Sequence, residues 1–137
     1  MTSALPQVGI FACFSGGSNS GTLTGMAALE AVRRLGSDVV GICSLPATLR
    51  AVPRQSALVR KIERIIVVDG CRNRCARELL ERQGITPAKY LNLEEDLGIA
   101  KSGPFTSWEF TDQEVQIVAD ALVAAILDLL PGPARAQ

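Results

Sequence analysis

A chain of 137 residues, 47% of them hydrophobic, is long enough to bury one core without disulfide staples. Its 14 basic and 14 acidic side chains cancel, which argues against a dedicated nucleic-acid or membrane-surface binder. Histidine is missing altogether, so a soft-metal site would have to be built from thiolates.

In chain order, the opening MTSALPQVGIFACF has neither the basic start nor the cleavage pattern of a secretory signal. Residues 7–13, QVGIFAC, form a short apolar run that predicts a buried strand. The loop FSGGSNSG follows. A helix is expected next, with Ala28, Leu29, Val32 and Leu35 on one face, Asn19 or Ser20 as its cap and Gly36 as its stop. DVVGICSL predicts a second strand ended by Pro46, and residues 48–63 a helix with Pro53 near its start. RIIVVDG predicts a third, fully covered strand. CRNRCARELLERQG then predicts a helix stopped by Gly84, and AKYLNLEED a weaker fourth strand. TDQE at 111–114 is a capping box for a last amphipathic helix. No apolar run approaches the ~20 residues of a membrane span.

Strands alternating with helices imply an α/β fold with right-handed crossovers. The expectation is one domain over residues 1–130, doubly wound and Rossmann-like. Its mainly parallel sheet has about four strands in the order 2-1-3-4, and residues 131–137 form a frayed tail. The chain reads as a cytoplasmic protein with no membrane or nucleic-acid partner. Cysteines stay reduced there, so four of them point to metal or chemistry rather than disulfides.

Cys13 closes strand one, Cys43 lies near the end of strand two, and Cys71 follows strand three. In a parallel sheet these are carboxyl ends on one edge, where open α/β folds bind ligands. Cys75 is placed one helical turn beyond Cys71. Four thiols could therefore converge as ligands of zinc or an iron–sulfur cluster. The competing reading is four small apolar residues packed in the interior. Residues 50–77 carry eight Lys/Arg against two Asp/Glu. Among them Arg72, Arg74 and Arg77 would offset thiolate charge, with the helix N-terminus favouring thiolate at Cys71.

Ser15, Gly16, Ser18 and Asn19 open a helix and are candidates to cradle an anion or cofactor, although a turn that merely needs glycines explains them too. Asp69 reads as a cap for the following helix, with orientation of the cysteine site as the alternative. Phe105, Trp108 and Phe110 anchor a loop against the core or form a lid over the cysteine edge.

CFSGGSNSG, ICSLPA and above all VVDGCRNRCARELLERQGI resemble the DGC-domain family, named for the motif present here as Asp69-Gly70-Cys71. The resemblance runs from about Val8 to Gly98, with one departure: Phe14 separates Cys13 from the Ser15-Gly16 pair. It implies a small cytoplasmic α/β domain that binds zinc through clustered cysteines; a closed site of four thiolates would suit a metal sensor or carrier. Two other functions remain open. Cys71 could be a nucleophile with Arg77, six residues on, clamping an oxyanion. A Cys71–Cys75 redox pair fits poorly, because two helical positions four apart diverge.

Overall fold

Val8–Ala12 forms β1, and every residue of it is buried, as its uninterrupted apolar sequence requires. The computed structural model describes residues 5–131; the first four residues of the expected domain and nearly all of the expected tail lie outside them. Asn19–Leu35 is helix α1, Val40–Ile42 strand β2, Leu45–Leu49 helix α2 and Pro53–Lys61 helix α3. Arg64–Asp69 is β3, Cys75–Arg82 α4, Lys89–Asn92 β4, Leu93–Leu97 α5 and Asp112–Leu129 α6. The four strands pair in parallel in the order β2-β1-β3-β4, which is the doubly wound α/β arrangement expected.

Strand alternation sorts side chains onto two faces. One face sends Ile10, Ala12, Ile66 and Val68 against α1 and α6. There Ala27, Ala28 and Ala31 let α1 lie close to Val118, Leu122 and Ile126. The other face sends Phe11, Ile65 and Val67 against Val59 of α3 and Ala76 and Leu80 of α4.

Several boundaries differ from the sequence expectation. The helix expected over 48–63 is two helices, broken where Ala51 takes φ 59° and Pro53 restarts the turn. The cap of α1 is Ser18, whose hydroxyl accepts from Gly21 N–H, and Leu29 faces solvent instead of the core. α5 was not foreseen; Asn92 caps it by accepting from Glu94 and Glu95 N–H. Gly36 ends α1, and the Thr111–Glu114 capping box opens α6 as expected. Among the described residues, no helix is long and apolar enough to cross a membrane.

Candidate functional site

The turn after β3 is shaped first by Asp69, which is 1% exposed. Its Oδ1 accepts from Ala76 N–H at 2.9 Å, and its Oδ2 accepts from Arg77 N–H at 3.0 Å and Tyr90 O–H at 3.0 Å. The carboxylate therefore caps α4 from seven residues upstream and ties the turn to β4. Asn92, fully buried, donates from Nδ2 to the Cys71 carbonyl at 2.8 Å. Glu94 accepts from Arg72 N–H at 2.9 Å, and Glu95 pairs with the Arg74 guanidinium at 2.7 Å. Arg74 itself is left-handed, with φ 53°.

These contacts make residues 70–74 a fixed turn rather than the first turn of a helix. α4 begins at Cys75, so Cys71 and Cys75 are not one helical turn apart on a common face. The expectation that the helix N-terminus lies at Cys71 is corrected accordingly.

Cys13, Cys71 and Cys75 line one cleft of about 190 Å³ at the carboxyl ends of β1 and β3. Ser15, Ser18, Asp69 and Lys101 share its walls. Burial raises the Cys75 thiol pKa, and the charge of Asp69 pushes it the same way. All four cysteines are free thiols.

Cys43 is placed elsewhere. Its Sγ occupies the space over Gly9, where an added Cβ would approach it to 2.9 Å, and its side chain packs with the cluster that includes Phe11 and Ile62. Burial pushes its thiol up to about 11. The structure thus gathers three of the four proposed ligands on one cleft and turns the fourth back along the sheet. Among the described residues, no three His, Cys, Asp or Glu side chains already stand as a metal shell.

The loop after β1 is tied to a distant segment of the chain. Asn19, 3% exposed, donates from Nδ2 to the Ala100 carbonyl at 3.0 Å and accepts at Oδ1 from Ser102 N–H at 2.8 Å. Its own N–H donates to Thr106 Oγ1 at 3.1 Å, and the Gly17 carbonyl accepts from Thr106 N–H. The Gly16 carbonyl accepts from Ser107 O–H. Ser15, Gly16, Ser18 and Asn19 thus cap α1 and hold the 99–107 segment. Two of the N–H groups that an anion would use, those of Asn19 and Gly21, already have partners.

That segment delivers a residue the sequence did not single out. Lys101 Nζ lies 3.9 Å from Cys71 Sγ, the one cation directed at a thiol among the described contacts. Nothing local to Lys101 in the sequence distinguishes it from a solvated lysine. Two of the three arginines expected to offset the thiols are engaged elsewhere. Arg74 is held by Glu95, while Arg77 stacks 4.6 Å over the Tyr90 ring and pairs with Glu81. The structure does not bring the Arg77 guanidinium to Cys71 as an oxyanion clamp. Phe105 and Trp108 are 93% and 78% exposed, so they do not anchor their loop in the core. Trp108 stacks on Phe110, which packs against the core beside α6.

No curated protein and no solved structure matches this chain. A family model described as the DGC domain matches residues 9–122, a span that takes in most of β1, the Asp69-Gly70-Cys71 turn, Lys101 and most of α6. With most of its length under that match, the chain belongs to the DGC domain family.

Proposed function

We propose that this protein is a cytoplasmic thiolate metal-binding protein that holds zinc on Cys13, Cys71 and Cys75. One observation carries the reading: these three soft donors share a cleft at the edge of a parallel sheet where ligands bind. The donor set fits the ion in chemistry, since thiolates suit zinc and no imidazole competes. Asp69 serves the site by holding its turn: its oxygens accept from Ala76, Arg77 and Tyr90. Rotation of cysteine side chains within the cleft completes the site on loading. Bound there, the ion would supply Lewis acidity, while the chain supplies a fixed Cys71 turn and a neighbouring ammonium.

The two apolar clusters already brace the fold, so the ion is not needed for that, and three protein thiolates would leave its fourth position open. Protein purified without chelator or oxygen is expected to hold about one equivalent of zinc per chain. Cys71→Ser and Cys75→Ser lose the ion, and Cys43→Ser keeps it. Absence of metal with all four thiols freely titrating overturns the proposal. Acid-labile sulfide with iron would replace zinc by an iron–sulfur cluster on the same cysteines.

A further inference from the structure

The clasp around Lys101 is unusual in its economy. A buried asparagine on α1 bonds the carbonyl before Lys101 and the N–H after it, so one side chain fixes the backbone on both sides of that lysine. The rest of the segment has no helix or strand to hold it, and Gly103 and Phe105 both take positive φ. The same asparagine places Lys101 Nζ beside Cys71 in the thiol cleft. Such a clasp keeps a flexible, strongly hydrated cation at a chosen spot, which a lysine on a loop would otherwise leave.

Two consequences follow from the composition of the cleft. Zinc sites are almost always four-coordinate, and this cleft offers three cysteines, with Cys43 turned away over Gly9. Three thiolates around a divalent ion also leave one negative charge, which would repel an approaching anion; Lys101 cancels it.

We infer that the cleft takes a small anion, a thiolate or carboxylate from outside the chain, as fourth ligand of the bound ion, with Lys101 as its charge partner and Asn19 as the positioning residue. This rests on the three-thiol reading above and goes beyond it by naming the class of co-ligand. Ser15, which is exposed, and the buried Ser20 hydroxyl supply neutral donors beside the same space. The cleft volume of about 190 Å³ admits a small ligand and excludes a folded partner's side.

The test uses the full chain loaded with cobalt(II), whose visible bands report its ligands, titrated with azide as the probe anion. The wild type is expected to bind one cobalt and to show azide-dependent band shifts. Lys101→Met keeps the cobalt and weakens azide by about tenfold, as loss of one charge at close range requires. Lys101→Arg retains most of the affinity. Asn19→Ala weakens azide in the same direction and speeds hydrogen exchange at Ser102 N–H. The double variant is no weaker than Lys101→Met, since both substitutions remove one interaction.

Azide without spectral effect on the cobalt-loaded wild type overturns the inference, as does equal azide affinity in Lys101→Met. Cobalt bands altered by Cys43→Ser would show a fourth thiolate in place and overturn it while leaving metal binding intact. Failure of the wild type to bind cobalt removes the three-thiol reading itself.

Discussion

Asp69 shows how much one side chain decides in this turn. Its carboxylate is buried and accepts three hydrogen bonds, two from the first turn of α4 and one from Tyr90. Charge-assisted bonds of this kind are stronger than neutral ones, and removing the acceptor strands buried donors. Asp69→Ala is expected to lower stability by about 2–4 kcal/mol, read as a shift in the urea midpoint with unchanged slope. A midpoint within experimental scatter of the wild type would contradict the capping role. The sequence suggested the cap, because an aspartate before a helix is a recognisable signal. Tyr90 was invisible in it, being brought alongside by the pairing of β4 with β3. Cys43 is the converse case. Its position at a strand end was legible, but the direction of its sulfur depends on the space left by Gly9 on the neighbouring strand.

At the scale of elements, the segment from Cys71 to Arg82 reads as one helix because arginine and alanine are good helix formers throughout. Tertiary contacts override that propensity at its first turn. Asn92, Glu94 and Glu95 bind Cys71, Arg72 and Arg74 respectively, and the left-handed Arg74 separates the turn from the helix. Gly70 has a comparable constraint from the other side. A Cβ there would lie 2.8 Å from the Ser20 carbonyl carbon and 2.9 Å from its oxygen, atoms of the α1 backbone that have little freedom to shift. Gly70→Ala therefore pries the end of β3 from the start of α1, at a cost of roughly 1–3 kcal/mol. A lowered melting midpoint with weakened metal retention is the expected pair of readouts. Unchanged values for both would show that the two elements separate freely. The family motif thus combines a cap, a close approach and a thiol in three consecutive residues.

Across the whole molecule, α1 and α6 carry the larger apolar cluster and are clamped on their outer side by charge. Arg34 reaches Glu30 at 2.9 Å on its own helix and Asp120 at 2.7 Å on α6. Hydrogen bonds from Arg33 and Arg34 lower the Glu30 pKa from 4.5 to about 2. A folded value below the unfolded one means that the stabilisation is present above pH 4.5 and fades as pH falls towards 2. The gap in melting midpoint between wild type and Glu30→Gln is expected to narrow across that window, and high salt should shrink it at every pH because the pair is solvent-accessible. A gap that is constant with pH would rule out the carboxylate as its source.

The amino-acid sequence by itself determined the alternation of strands and helices, the parallel four-stranded sheet and the edge on which Cys13, Cys43 and Cys71 fall. Those features are written in runs of a few residues, where periodicity, caps and glycines act locally. Tertiary structure alone decided that Cys43 turns back over Gly9 and that Arg74 and Arg77 bind acidic or aromatic neighbours. It also turned Asn19 to the 99–107 segment, through contacts 81 and 83 residues away in the chain. Lys101 reaches Cys71 only because that segment is docked on the α1 cap. A contact between distant segments depends on how whole elements pack, and no local pattern around either residue encodes it.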